Sequence, residues 1–269
     1  MTNQFKFLYK TCIVLLAVLA TMAMGAVILL AIGAPVLKTY AVIVFDPLKN
    51  IGLISEVLIR TIPLTIIALG IAVAYRSGII NIGAEGQMAM GILATTAVAL
   101  ALPDLPKPLL LPLVLIAGIA GGALWGAIPG LLKAKLQVSE LLSTVMLNYI
   151  AEQFYTFCLR KPFLDPAKMT TGSGTPQSMR LTKNIWLTRF VSGTRLHTGI
   201  FIAIGFAIVI YLLLWKTPFG YKMRAAGSCE RAARYGGINV AKYLVIAMVL
   251  SGGFAGLAGA VEICGVHHR

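Results

Sequence analysis

The 269 residues are 58% hydrophobic and only 12% charged, with a mean hydropathy of +0.88. Soluble domains carry about 25% charged residues, and this much apolar surface cannot all be hidden in one globular core, so composition excludes a soluble domain and calls for lipid around the chain. The formal net charge of +14 does not point to nucleic acid, because the basic residues sit between apolar runs and not in one patch with interleaved aromatics.

A membrane span needs roughly 20 apolar residues. Seven runs meet that need, at 11–34, 53–75, 79–102, 109–132, 138–159, 198–215 and 243–261, and they predict an all-α polytopic helix bundle forming one transmembrane domain. The first run follows Lys6 and Lys10 as a secretory signal would. It is longer than a signal core and further spans follow, so it reads as a membrane helix. In the second run, Glu56 precedes Arg60 by four residues, a favourable pairing on a helix, and Pro63 predicts a kink just beyond. The third run holds a single charge, Glu85. Asn81 is expected on the same helix face four residues earlier, with Gln87 close by. Polar groups at such depth either line a pathway or bond to a neighbouring helix.

The fourth run repeats Gly118, Gly122, Gly126 and Gly130 at every fourth position, and the last run repeats Gly252, Gly256 and Ala260. Rows of small residues let helix backbones approach closely where lipid gives no hydrophobic drive. Packing within the subunit is the plainer reading; a dimer seam or a moving gate interface is the other. The fifth run is the most polar, with Glu140, Asn148, Glu152 and Gln153, and is expected to face protein or water. Two longer hydrophilic stretches remain, 160–197 and 216–242. An N-terminus inside the cell puts the second in the cytoplasm and the first outside. Lys and Arg divide almost evenly between the two sides, so charge does not set the orientation.

No chemistry of its own is written in the chain. Cys12, Cys158, Cys229 and Cys264 are scattered without a CxxC pair, and the adjacent His267 and His268 lack further ligands, so neither a disulfide framework nor a metal site is expected. The sequence contains no GxxxxGK[ST], HExxH or GxSxG. TGSGTP at 171–176 reads as a loop and not a nucleotide cradle, since no strand precedes it. No cofactor is expected.

The most informative stretch is GYKMRAAGSCERAARYGGINVAKY at 220–243. It predicts a short helix over 229–235, capped by the Ser228 hydroxyl, with Glu230 and Arg234 at the ends that complement the helix dipole. Gly236 and Gly237 supply the stop. Two turns are unstable alone in water, so this helix must dock. The stretch resembles the coupling loop of ABC-importer permeases, and RAAGSCERAARYGGINVAKY is similar to the branched-chain amino acid, sugar and nucleoside permease family. YRSGIINIGAEGQMAMG at 75–91 resembles that family's early span, and TPQS with RLHTGI, at 175–178 and 195–200, is similar to its nucleoside branch.

The resemblance implies a bacterial inner-membrane importer. Two permease subunits, alike or different, form the pathway, two ATPase subunits bind below, and an extracytoplasmic binding protein delivers the solute. Arg224, Gly227, Ser228, Glu230, Ala232, Ala233 and Gly237 are then the expected ATPase-coupling residues. Asn81, Glu85, Gln87, Glu140 and Asn148 stand as candidate pathway or intramembrane polar residues. Family members usually continue into further spans, so the resemblance also implies C-terminal spans beyond this sequence. An ion-coupled secondary transporter is the alternative, with Glu85 or Glu140 as ion site, although neither broken helices nor repeated halves are visible. A branched-chain amino acid permease is another.

Overall fold

The computed structural model describes residues 3–166 and 177–269, with side chains from Tyr9 onward, so TGSGTP lies outside the described residues. Helices dominate: α1 (Asn3–Ala31), α2 (Val36–Phe45), α3 (Ile51–Arg76), α4 (Ala84–Ala101), α5 (Lys107–Leu136), α6 (Glu140–Arg160), α7 (Gly199–Lys216), α8 (Pro218–Ser228), α9 (Glu230–Tyr235) and α10 (Val240–Glu262). The only β pairing among the described residues is two isolated bridges, Leu164 with Ser178 and Arg189 with His197. The chain packs as two units, residues 1–57 and 58–269. In the first unit, the Tyr40 hydroxyl of α2 donates to the Met22 carbonyl of α1 at 2.6 Å. Gly25 leaves the room this needs, because a Cβ there would fall 2.7 Å from the Tyr40 oxygen.

Among the described residues, six helices are long and apolar enough to cross a bilayer: α1, α3, α4, α5, α7 and α10 with the π turn that extends it to His267. The seventh expected span, α6, has the length at 21 residues but not the apolarity. The third span is also shorter than its apolar run: 79–83 is not helical and α4 begins at Ala84. Gly78 turns the chain at φ +78°, and the Asn81 side chain accepts from the Gly83 N–H at 2.9 Å, a local bond that competes with helix. Asn81 and Glu85 therefore do not share a helix face as expected; Asn81 is buried and Glu85 is exposed.

In the second unit α10 is the central post. Its most apolar stretch is 72% buried, against 39% at most for the other spans. Small residues permit this. Gly118, Gly122 and Gly126 of α5 lie against Gly252, Gly256 and Ala260 of α10; a Cβ on Gly122 would fall 2.7 Å from the Gly256 Cα, and one on Gly118 2.7 Å from the Ala260 Cβ. Gly130 abuts Met248 in the same seam. Gly91 brings α4 onto Gly256 as well, and Gly121 brings α5 onto Met90 and Ala94 of α4, so the three helices pack together. Apolar side chains turned away from this seam, such as Leu124, Ile116, Phe201 and Ile208, are left for lipid.

The described part of the 160–197 stretch is tied to one end of α10. Leu181 and Leu187 donate backbone bonds, both 3.0 Å, to His268 and Cys264, and Trp186 stacks on His268 with centroids 4.1 Å apart. Burial, reinforced by His268 and Arg189 nearby, holds the His197 imidazole down at about 4, so it packs there neutral.

Candidate functional site

At the opposite end, α7 hands over to two short helices, not one. Thr217 caps α8 by accepting from the Gly220 N–H at 3.0 Å, and Pro218 occupies the first turn, where its missing N–H costs nothing. Gly220 lets α8 fold back on α7, a Cβ there falling 2.6 Å from the Leu214 Cα. Arg224 does not project outward. Its Nε donates to the Leu214 carbonyl at 3.0 Å and its guanidinium lies 4.3 Å from the centre of the Trp215 ring, which Arg76 of α3 also covers at 5.4 Å. Gly227 meets the turn after α3: a Cβ would fall 2.6 Å from the Gly78 N.

Ser228 is not the cap that sequence predicts. α8 continues through it, and its hydroxyl donates back to the Arg224 carbonyl at 2.9 Å. The break comes one residue later, where Cys229 is extended (φ −155°, ψ 103°) and holds the N-cap position of α9 without a side-chain bond. α9 docks through Ala233, which packs with Ala226 and Val240. Everything else points away. Glu230, Arg231, Ala232 and Arg234 are exposed, Glu230 pairs with Arg234, and Tyr235 is 95% exposed. Gly237 ends the element at φ +75°, where a side chain would be strained. The result is a pinned two-turn helix with one small buried foot and a charged, aromatic outer face.

The intramembrane polar residues fall into three groups. Asn81 and Gln87 form a fully buried knot with Ser251 of α10: the Asn81 amide donates at 2.8 Å to both Gln87 Oε1 and Ser251 Oγ. Glu140 is paired with Lys133 at 2.8 Å. Asn148 of α6 clamps the start of α4, accepting from the Gly86 N–H at 2.9 Å and donating to the Ile82 carbonyl at 3.1 Å. Of the five expected polar residues, Glu85 and Asn148 come together at one opening. They line a cleft of about 550 Å³ between α4 and α6, with Glu152 and Tyr155. A second cleft, of about 750 Å³, lies between α3, α4, α6 and the end of α10 and holds Arg60, Glu262, His267 and Arg269. Tyr155 lines this one as well. Sequence reading marks Glu152 only as part of a polar run and passes over Tyr155, Glu262 and Tyr235. The one available signal is ionisable residues spaced along spans, at 60, 85, 152 and 262.

A helical membrane bundle with two clefts among its helices and a pinned helix projecting from one end is an architecture suited to a transport subunit. The chain belongs to the family described as branched-chain amino acid transport system / permease component, whose model matches residues 53–268. It is a multi-pass membrane permease subunit of an ABC importer, a class that works with an ATPase and a substrate-binding protein. It is 35% identical to a guanosine ABC transporter permease protein of Bacillus subtilis over 92% of this chain and 70% of that one. A nucleoside ABC transporter permease protein of Lactococcus lactis is 34% identical over 94% and 70%, and a glucose ABC transporter permease protein of Haloferax volcanii 33% over 94% and 68%. No solved structure matches the chain significantly.

Proposed function

We propose that this subunit carries nucleosides, with simple sugars as the next class, and that α9 is the point where a separate ATPase pushes on it. The observation that supports the coupling role is the pairing of a small buried foot, Ala233, with an outer face carrying Glu230, Arg231 and the fully projecting Tyr235. A helix this short is held by what it docks on, and its exposed aromatic is the residue type that anchors interfaces. Ser228, Glu230 and Ala232 then meet the partner, while Arg224, Gly227, Ala233 and Gly237 hold the element in place. In this reading α6 crosses the membrane as well, its polar side turned to a cleft and not to lipid, and residues 1–269 form one permease domain with a cytoplasmic N-terminus and cytoplasmic 216–242, while 160–197 lies outside, where a binding protein touches it. A second permease subunit completes the pathway. Names of relatives support the solute class: two handle guanosine or nucleosides and one glucose.

Glu230→Lys tests the coupling role. It reverses the charge on the outer face, breaks the pair with Arg234 and leaves Ala233 buried. Co-purification with the ATPase and ATP-driven nucleoside uptake are both expected to fall about tenfold, with unchanged yield of folded permease. Undiminished ATPase recovery and uptake would remove α9 as the contact.

A further inference from the structure

Arg60 in α3, Glu85 in α4, Glu152 in α6 and Glu262 closing α10 are ionisable side chains on long helices that are not buried. Charged groups at membrane depth face water or a partner, not lipid, and all four line the two clefts. The clefts follow each other along one side of α4. Ile82, Glu85 and Ala89 line the smaller, Met88 and Ile92 the larger. At about 1.5 Å per residue, the step from Ala89 to Ile92 is about 5 Å along the helix axis. Tyr155 is the side chain that lines both, so its ring stands where they meet. Both volumes fall within the roughly 300–1,000 Å³ that holds small molecules.

Their electrical characters are opposite. The larger cleft has Arg60 and Arg269, and its one carboxylate, Glu262, is engaged by His267 at 3.1 Å. Arg269 also donates to Gln177, at 2.6 Å. The smaller has Glu85 and Glu152 with no Lys or Arg in its wall, and Asn148 and Tyr149 as further polar groups. Low-dielectric walls strengthen both fields.

We infer that these clefts are successive chambers of the solute route, divided by Tyr155, and that their opposed charges make the route pass uncharged, hydroxyl-bearing ring solutes and reject ions of either sign. A cation is repelled in the first chamber and an anion in the second. A neutral polyol meets hydroxyl-accepting carboxylates in one, donating guanidinium groups in the other, and an aromatic ring between them. The inference rests on the permease reading above and deepens it.

Ile92→Cys and Ala89→Cys place a thiol in each chamber of the full chain, in right-side-out and inverted vesicles without ATP, with the parent chain as background. Membrane-impermeant methanethiosulfonates, one cationic and one anionic, are the probes. Ile92→Cys is expected to react from one face of the membrane only and Ala89→Cys from the other only. The anionic reagent is expected to be about tenfold faster at Ile92→Cys, and the cationic one about tenfold faster at Ala89→Cys. Adding Tyr155→Ala should let each thiol react from both faces, while Tyr155→Phe should keep the sidedness. Labelling of both thiols from the same face, labelling of neither, or sidedness unchanged by Tyr155→Ala would overturn the divided route. Equal rates for the two reagents would overturn the charge filter. Labelling does not depend on the ATPase, so these outcomes are separate from loss of ATP-driven uptake, which bears on the permease reading.

Discussion

Asn81 shows how one polar side chain holds three segments together. It bonds Gln87, Ser251 and the Gly83 N–H, all at or below 3.2 Å and all away from solvent. Asn81→Ala leaves a buried amide, a hydroxyl and a backbone N–H unpaired. Each such orphan costs about 1–3 kcal/mol in water-soluble proteins, and interhelical bonds in membranes average about 0.6 kcal/mol because the separated helices also find partners. A loss of about 1–3 kcal/mol in all is the expected outcome, checked by unfolding in mild detergent and denaturant. The Asn81–Gln87 proximity was legible in the sequence; its partner Ser251, 170 residues away, was not, because nothing local marks which serine a buried amide will find. Glu85 and Asn148 were legible as polar groups at depth. Their opening onto the same cleft required the helix start at Ala84, which turns the Glu85 side chain away from Asn81.

At the scale of elements, α8 lies ahead of the one short helix that the sequence predicts in this stretch, although Thr217 and Pro218 write its start in plain form. Serine is a favoured N-cap, so sequence predicts the cap at Ser228; the chain uses Cys229 instead, whose extended backbone decides the break whatever its side chain offers. The contact of Gly227 with the Ser77–Gly78 turn joins α8 to the segment that leads into the Asn81 knot. Gly227→Val puts branched carbon where the neighbouring backbone already lies. It is expected to push α8 off that turn and to cut ATP-driven uptake at least tenfold while ATPase co-purification through α9 persists. Measuring both on the same preparation checks this; uptake at the parent level would mean that the contact transmits nothing.

For the whole molecule, the arrangement predicts sidedness. Ser192 and Gly193, in an exposed turn, and Tyr235, exposed at the end of α9, lie at the two ends of the second unit. Single cysteines at Ser192 and Tyr235 are expected to take an impermeant maleimide from opposite faces of intact cells and inverted vesicles, Tyr235→Cys from the cytoplasmic face. Labelling of both from one face would break the topology of 160–197 outside and 216–242 inside. The near-even spread of Lys and Arg makes this a measurement that charge counting cannot replace.

The class of the protein was determined by the sequence alone, because transfer of apolar runs into lipid is a local, additive property of about 20 residues at a time. The glycine rows were equally visible, since a four-residue repeat puts small groups on one helix face before any partner is known. Only the tertiary structure decided that those rows meet each other along α5 and α10, that α10 is the buried post, and that Arg60 and Glu262 line one cleft and Glu85 and Glu152 another, with Tyr155 in the wall of both. Those facts depend on the rotation and register of helices far apart in the chain, and these are set by close packing between surfaces that no single segment specifies.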